Sequence, residues 1–269
     1  MRYGLWLCSL ILFSTTQIGP AFAAGDTGAV MEPINPPFTL PQPPTYTPPP
    51  VYKPYIPPKV ISLMPHDRIV FAGDSVTFLG GLPGGWIETF NEFVQKSHPG
   101  ENITVIASGV GGDTSKKLLA RFDTSVLNFN PSVVVFYIGI NDIGTLPTNS
   151  DGTANLTGYL TNMSEMINKA KAHPGVRSIV IMTPMLHGDQ WDPQGHWDPR
   201  IDQMASALRS VCSYYQYPLI DVRQEFTTAE HSYNPDDKPW GILVDSSMVH
   251  PTQLGSSLLA GTVLMGFGD

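Results

Sequence analysis

Four short segments of the sequence concentrate the side chains that are best suited to chemistry. Three of them follow apolar runs: residues 73–75 (Gly-Asp-Ser), 108–114 (Ser-Gly-Val-Gly-Gly-Asp-Thr) and 139–142 (Gly-Ile-Asn-Asp). The fourth is residues 249–251 (Val-His-Pro). A serine hydroxyl is a weak nucleophile until a base takes its proton, and histidine, with an ordinary pKa of about 6.5, suits that role near neutral pH. The pattern predicts nucleophilic catalysis by Ser75.

The base for Ser75 must be chosen among 7 histidines. Position favours His250, which opens the last helical segment of the chain, whereas His66, His98 and His173 fall in linkers or at helix ends. The alternative interpretation of His250 is a surface turn residue before Pro251.

Attack on an ester carbonyl develops an oxyanion, which requires two or three fixed hydrogen-bond donors directed at one point. Gly112 offers a backbone N–H in a glycine-rich loop, Asn141 offers a side-chain amide, and Ser75 can add its own N–H. The alternatives are an ordinary loop at Gly112 and an Asx turn at Asn141. Because the three donors follow three different apolar runs, they converge on one crevice if those runs are neighbouring strands.

The elements that must position these groups are visible as alternating apolar runs and helical patterns. The runs are rich in β-branched residues and lack polar alternation, which is typical of strands buried on both faces. They span residues 68–72, 103–107, 133–138, 178–183 and 217–222. Helical patterns span residues 85–97, 115–127, 156–173, 199–215 and 252–265. This alternation predicts a doubly wound, mostly parallel α/β sheet, whose ligands bind at the carboxyl ends of the strands.

The first quarter of the chain carries export and spacer signals. Residues 1–23 contain Arg2, a short apolar run and a small-x-small triplet, which predicts a secretory signal peptide, and the run is shorter than the roughly 20 residues that span a membrane. Thirteen of the 26 prolines lie between Pro33 and Pro65. Residues 24–66 are therefore predicted to be an extended, disordered proline-rich linker, and residues 67–269 a single catalytic domain.

Charge and cysteine content narrow the function classes. Without Arg2 the mature chain has 14 basic and 23 acidic residues, a net charge of about −9, which disfavours a nucleic-acid or anionic-membrane partner. Cys8 leaves with the signal peptide, so Cys212 is alone and no intramolecular disulfide is expected. We expect an exported protein, periplasmic or extracellular, with a cell-envelope partner reached through the proline-rich segment.

The four segments, in this order and each at a predicted strand end or helix start, resemble the blocks of the SGNH (GDSL-type) hydrolases. The resemblance covers about residues 68–265. It implies a flavodoxin-like three-layer α/β/α sandwich that hydrolyses esters or thioesters without a metal or cofactor. It also implies that Ser75 is the nucleophile, that His250 is the base, and that Ser75, Gly112 and Asn141 form the oxyanion hole. Asp74 and Asp142 are expected to hydrogen-bond loop N–H groups.

The chain departs from this family at one position. The family has an aspartate three residues before the histidine, where this sequence has Ser247, and the nearest acid is Asp245. Three interpretations stay open: Asp245 completes the triad through a turned segment, Ser75 and His250 work as a dyad with Ser247 or a carbonyl accepting from the imidazole, or the protein binds without turnover. An active enzyme is favoured because nucleophile, base and oxyanion donors are all present.

Two segments suggest the substrate. Residues 185–200 and 224–245 are interpreted as insertions at the strand-end face, and they contain Trp191, Trp197 and Trp240. Aromatic side chains interleaved with Asp, Gln and His predict a carbohydrate platform and thus a sugar-ester substrate; the alternative is that the tryptophans pack the insertions onto the sheet. Four residues of the first insertion could be metal ligands: His187, Asp189, Asp192 and His196. Because their spacing fits no specific metal-site pattern, they are interpreted as solvated loop residues.

Two other classes of protein are compatible with parts of the sequence. The loop at residues 109–114 is a near miss to a dinucleotide fingerprint, but the acidic residue expected about 20 positions later is absent, which argues against an oxidoreductase. A cell-envelope module that binds an acylated glycan in the same crevice is the second candidate.

Overall fold

A parallel sheet organises the part of the chain that the computed structural model describes, residues 61–189 and 198–268. Its five strands are β1 (Arg68–Gly73), β2 (Thr104–Gly109), β3 (Val133–Tyr137), β4 (Ser178–Met182) and β5 (Leu219–Ile220). They pair in parallel in the order β2-β1-β3-β4-β5. The predicted five-stranded α/β sheet is therefore confirmed.

Helices cover both faces of this sheet. Helices α2 (Trp86–Ser97), α7 (Val222–Tyr233) and α8 (Gln253–Gly266) contribute to one apolar layer. Helices α3 (Ser115–Ser125), α5 (Thr157–Ala172) and α6 (Asp198–Tyr215) contribute to the other. Two short helices, α1 (Ser75–Gly80) and α4 (Ile140–Ile143), follow β1 and β3 directly. The result is the three-layer α/β/α sandwich that the sequence predicts.

Alternate strand residues face opposite layers, which explains the continuous apolar runs. Phe71 of β1 and Val135 of β3 are buried against the first layer, whereas Val70 and Val134 are buried against the second. Because helices cover both faces, the inner positions of β1 and all of β3 need no polar residue to meet water. The buried thiol of Cys212 belongs to the second layer, and burial raises its pKa to about 12.

The strand order places a topological switch point beside β1. The chain leaves β1 for β2 on one side and later returns to pair β3 on the other side. Connections that diverge in this way open a crevice at the carboxyl ends of the strands, where ligands bind in open α/β sheets. Residues 74–75, 110–114 and 139–142 all follow strands that meet at this edge.

Helix α7 is the element that the sequence interpretation missed. Residues 224–245 were expected to be one long insertion, but helix α7 continues to Tyr233. Its buried side chains, including Val222, Phe226 and Ala229, recur at helical spacing, and the Asp221 carboxylate accepts from Gln224 N at 3.3 Å as an N-cap. The charged and β-branched residues between them concealed the pattern, although Asp221 is a start signal that the sequence displays.

The domain begins earlier than the predicted boundary at residue 67. Ile61 is buried in the first apolar layer, and its N–H donates to the Gly266 carbonyl at 3.0 Å. Arg177 donates to the Ser62 carbonyl at 3.0 Å and to the Asp67 carboxylate, which ties the same segment to the start of β1. Amino-acid composition alone does not predict that an isoleucine so close to the proline tract is buried in the core.

Among residues 61–189 and 198–268, we found no helix that is both long enough and apolar enough to cross a bilayer.

Candidate active site

A tight turn between β1 and α1 presents Ser75. The Asp74 carboxylate caps α1 by accepting from Val76 N at 2.9 Å. Gly73 is required here, because a Cβ at this position would lie 2.1 Å from Thr77 Oγ1 and 2.3 Å from the Tyr137 carbonyl. The backbone therefore passes from strand to helix without room for a side chain, and the Ser75 hydroxyl stands at the sheet edge.

Buried Trp86 packs against the strand ends and hydrogen-bonds the turn that presents Ser75. Its indole ring packs edge-on against Phe71 at 5.2 Å and against Tyr137 at 5.8 Å between ring centroids. Its Nε1–H donates to the Val76 carbonyl at 2.9 Å. A fully buried indole that finds a partner for its N–H fixes both the apolar layer and the first turn of α1.

Ser75 and His250 meet across 175 positions of sequence. The Ser75 Oγ lies 2.9 Å from His250 Nε2, a hydrogen-bonding distance that suits transfer of the hydroxyl proton to the imidazole. His250 sits on a turn closed by an isolated bridge between Val244 and Pro251 and by the bond from Asp245 N to the His250 carbonyl at 2.9 Å. The pair proposed from the sequence is thus brought together.

The side chain of Ser247 lies between the His250 imidazole and the Asp245 carboxylate. His250 Nδ1 is 2.8 Å from Ser247 Oγ, and the Ser247 hydroxyl donates in turn to Asp245 Oδ1. Asp245 Oδ1 also accepts from the Ser247 N–H at 2.8 Å. Of the arrangements left open by the sequence, the structure places Ser247 against the imidazole and Asp245 behind it.

Besides Ser75, the predicted oxyanion donors are Gly112, on the loop between β2 and α3, and Asn141, in the short helix α4. Asn141 Nδ2 donates one hydrogen to the Asp113 carbonyl at 2.9 Å, which orients the amide and leaves its second hydrogen for a ligand. Gly112 has φ +73°, a left-handed conformation that favours glycine, and its carbonyl accepts from Lys117 Nζ at 3.0 Å. Within the described residues, the Gly112 N–H has no acceptor.

Arg121 was not singled out from the sequence, yet it joins the strand ends that carry the site. Its guanidinium forms an ion pair with Asp113 at 2.7 Å and donates to the Gly73 carbonyl at 2.9 Å and to Ser108 Oγ at 3.1 Å. One side chain on α3 therefore links the ends of β1 and β2 to the Gly112 loop. A lone arginine inside an amphipathic helix gives no sequence signal for such a contact.

Asp142 accepts from the first residue of α3, at the end of the Gly112 loop. Its Oδ2 accepts from Ser115 N at 2.8 Å and its Oδ1 accepts from Ser115 Oγ at 2.6 Å, which joins the end of β3 to the start of α3. Burial raises the pKa of Asp142, although the two bonds from Ser115 oppose the shift.

Asp74 is the most strongly perturbed carboxyl at the site. Burial raises its pKa to about 7, and the charges of Asp142 and Asp113 act in the same direction, while the bond from Val76 N opposes them. The unfolded chain has the ordinary value of about 3.9 for this group. The folded state therefore binds the extra proton between these values, so the contribution of Asp74 to stability is present at low pH and is lost as the pH rises through about 7.

Asp74→Asn should remove this dependence, because the amide oxygen can still cap Val76 N and the side chain cannot ionise. As the pH rises from about 5 to about 8, the wild type should lose on the order of 2 kcal/mol of its free energy of unfolding relative to the variant. Urea denaturation at several pH values measures the difference. Asp236→Asn, at a side chain that is 77% exposed, is the control and should track the wild type. A constant difference between Asp74→Asn and wild type would contradict the expected titration.

The three candidate substrate-binding tryptophans are placed differently. Trp240 lies in the segment between α7 and α8 and is 50% exposed. Trp191 and Trp197 lie outside the described residues, and so do Asp192 and His196. The prediction that Asp189 is a solvated loop residue is wrong. Asp189 is fully buried, and its carboxylate accepts from the backbone N–H groups of residues 242–244. Three consecutive amide donors explain why a carboxylate is stable there.

In the described ranges, no group of three or more His, Cys, Asp or Glu side chains is arranged to hold a metal ion.

The chain is similar to known esterases over this whole domain. An acetylxylan esterase of Geobacillus stearothermophilus is 25% identical over 217 residues, which cover 75% of this chain and 94% of that protein. An uncharacterized lipoprotein of Bacillus subtilis (strain 168) is 22% identical over 166 residues, covering 56% of this chain and 66% of that protein.

Solved structures show the same fold. The acetyl xylan esterase AlAXEase matches with a TM-score of 0.66 and 27% identity, covering 74% of this chain and 98% of that one. The α/β hydrolase LAE5 from the metagenome of Lake Arreo matches with a TM-score of 0.64 and 23% identity, covering 77% and 97%. The model of the GDSL-like lipase/acylhydrolase family matches residues 71–258. With the five-stranded sheet, this match shows that the chain belongs to the GDSL-like lipase/acylhydrolase family, of the SGNH type, and is a carboxylic ester hydrolase.

Proposed function

We propose that the protein removes acetyl or other short acyl groups from a carbohydrate, with Ser75 as nucleophile and His250 as general base. The observation that carries the mechanism is the 2.9 Å contact between Ser75 Oγ and His250 Nε2 at the carboxyl end of the sheet. The substrate class is supported by the two acetylxylan esterases among the similar proteins. Without that support the geometry would fit any ester small enough to enter the crevice.

In the acylation half of the reaction, Ser75 Oγ forms a bond to the acyl carbon as its proton passes to His250 Nε2. The carbonyl π electrons move onto the oxygen and give a tetrahedral intermediate. Collapse of this intermediate breaks the bond to the sugar oxygen, which takes the proton from Nε2 and leaves as the free alcohol. In deacylation a water repeats the sequence, so that Nε2 accepts the water proton and returns it to Ser75 Oγ.

The oxyanion is stabilised by donors from three strand ends. Ser75 N–H lies in the first turn of α1, where backbone N–H groups have no intrahelical acceptor. Gly112 N–H and the second hydrogen of Asn141 Nδ2 complete the set. Because Asn141 is held by the Asp113 carbonyl and Asp113 by Arg121, the donors are oriented before substrate arrives, which is the condition for electrostatic stabilisation of a transition state.

The proposed compartment is periplasmic or extracellular. Support comes from the signal-peptide pattern of residues 1–23 and from the name of the Bacillus subtilis relative, a lipoprotein. In this setting the proline-rich stretch that precedes Ile61 would serve as a spacer between the catalytic domain and an envelope partner.

The function is tested by covalent labelling and substrate comparison. Wild type should react with a fluorophosphonate serine probe, and it should release acetate from acetylated xylan and from a small aryl acetate, with longer acyl chains hydrolysed more slowly. Ser75→Ala should lose the labelling. A folded wild-type protein that neither labels nor releases acetate would overturn the proposal and support the second candidate, an acylated-glycan binding module.

Trp240→Ala tests the carbohydrate platform. A half-exposed indole can stack on a sugar ring, an interaction of about 0.5–1.5 kcal/mol by analogy with aromatic pairs. The variant should therefore lower kcat/KM for acetylated xylan by about threefold to tenfold and leave kcat/KM for the aryl acetate within about twofold. Tyr214→Ala, at a ring that is 76% exposed near the end of α6, is the control. Equal losses on both substrates would sink the platform assignment.

A further inference from the structure

A serine stands between the imidazole and the carboxylate behind it. His250 Nδ1 lies 2.8 Å from Ser247 Oγ, and the Ser247 hydroxyl donates to Asp245 Oδ1. The chain of contacts from the nucleophile is therefore Ser75, His250, Ser247, Asp245. The family that the sequence resembles has an aspartate at the position of Ser247. The role of the Ser247 hydroxyl must therefore be derived from its own hydrogen-bond chemistry.

The direction of each hydrogen bond follows from the donors available. An ionised carboxylate only accepts, and Asp245 Oδ1 accepts both the Ser247 N–H and the Ser247 hydroxyl. The single hydroxyl hydrogen of Ser247 is thus committed to Asp245, and only lone pairs of its Oγ face His250. The imidazole must then carry its hydrogen on Nδ1, which leaves the Nε2 lone pair directed at Ser75 Oγ.

The turn that carries Ser247 holds this arrangement. Met248 adopts φ +64°, its N–H donates to the Asp245 carbonyl at 2.9 Å, and its own carbonyl accepts from Gly188 N at 2.8 Å. The His250 N–H lies 3.3 Å from Ser247 Oγ, so the backbone also directs a donor at the same lone pairs. If the Ser247 hydroxyl rotated to donate to His250 Nδ1, the Asp245 carboxylate would lose the hydrogen bond that it accepts from this hydroxyl.

We infer that Ser247 and Asp245 are positioning residues, and that Asp245 acts on His250 through the Ser247 hydroxyl by selecting the Nδ1–H tautomer. This inference rests on the proposed function of Ser75 and His250. We call Asp245, Ser247 and His250 the relay. No proton moves along it during the reaction: His250 Nε2 gains and returns the Ser75 proton, while the hydrogens of His250 Nδ1 and Ser247 Oγ stay on their own atoms. The relay supplies orientation, with less stabilisation of the imidazolium than a direct carboxylate would give.

The test uses kcat of the full mature chain on a small aryl acetate, with folding checked by circular dichroism and thermal melting. Asp245→Asn should lower kcat by about 10²-fold, because the amide can donate to Ser247 Oγ and free the hydroxyl hydrogen to bond Nδ1. Ser247→Ala should lower kcat by a similar factor, with KM little changed. Ser247→Thr retains the hydroxyl and should retain most of the rate. Ser246→Ala, the same change at the exposed neighbouring position, is the matched control.

Rescue separates positioning from a merely structural role. The double variant Asp245→Asn/Ser247→Asp places a carboxylate directly against Nδ1, and its kcat should return to within about tenfold of wild type. The ¹⁵N shifts of the His250 ring should report Nδ1–H in wild type and a shift toward Nε2–H in Asp245→Asn. A structural role alone would give neither the rescue nor the tautomer change.

The outcomes distinguish this inference from the function on which it rests. If wild type shows no hydrolysis that depends on Ser75, the proposed function fails and the relay with it. If wild type is active while Ser247→Ala and Asp245→Asn keep more than about a third of its kcat, the relay is overturned and the proposed function stands. Loss of kcat in both single variants, without rescue in the double variant Asp245→Asn/Ser247→Asp, would likewise overturn the relay.

Discussion

Replacement of Ser75 by alanine is expected to lower kcat for an aryl acetate by about 10⁴-fold or more. Without the hydroxyl, no acyl-enzyme can form, and the oxyanion donors can assist only direct attack by water. His250→Ala should cost a similar factor, because Ser75 Oγ then has no base at 2.9 Å to take its proton. Initial rates at saturating substrate, with active-site titration to exclude traces of wild type, measure both losses.

The double variant gives the sharper result. Groups that act as one unit are not additive, so Ser75→Ala/His250→Ala should be within about threefold of the single variants instead of showing the product of both losses. Ser257→Ala removes a hydroxyl from an exposed position on α8 and should leave kcat within about twofold of wild type. If Ser75→Ala retains more than about a hundredth of kcat, the nucleophile lies elsewhere.

The sheet was predictable because its physical cause acts locally. Strands covered on both faces must be apolar at successive positions, and β1 and β3 show this in the sequence as uninterrupted runs. The site followed from the same logic, since Ser75 and Asn141 come just after those strands. Parallel strand ends share an edge, so residues far apart in sequence can be placed together without knowledge of the loops.

The contacts that support the site could not be predicted in this way. Arg121 joins two strand ends through a helix that shows only an amphipathic pattern, and Ser247 is only one of the partners that the sequence leaves open for the imidazole. The contacts of Arg121 with Ser108 and Gly73 join positions 13 and 48 residues apart, which hydrophobic periodicity does not encode. The contact of Ser247 with His250 depends instead on the shape of a short turn. The buried carboxylate of Asp189 is the clearest case, because its sequence context of Gly, Asp and Gln predicts solvent exposure.

Asp189→Ala is expected to lower the free energy of unfolding by about 3–5 kcal/mol. The Asp189 carboxylate is fully buried and accepts from Ile242 N at 2.6 Å, from Leu243 N at 3.0 Å and from Val244 N at 2.9 Å. Alanine leaves these three donors in an apolar layer without acceptors, and each unsatisfied buried donor costs about 1–3 kcal/mol. Denaturant unfolding, with thermal melting as a second measure, reports the loss.

The same substitution should also lower activity below the melting temperature. Residues 242–244 lead directly into Asp245, and the Leu243 carbonyl accepts from Thr252 N at 2.9 Å, so the carboxylate of Asp189 fixes both ends of the turn that carries His250. Asp189→Asn keeps one acceptor oxygen and should fall between alanine and wild type in both stability and kcat. Asp236→Ala, which removes a carboxylate that is 77% exposed nearby in the chain, should change stability by less than about 0.5 kcal/mol. An Asp189→Ala variant within about 1 kcal/mol of wild type would mean that solvent replaces the carboxylate, and that the turn of His250 is held by its backbone bonds alone.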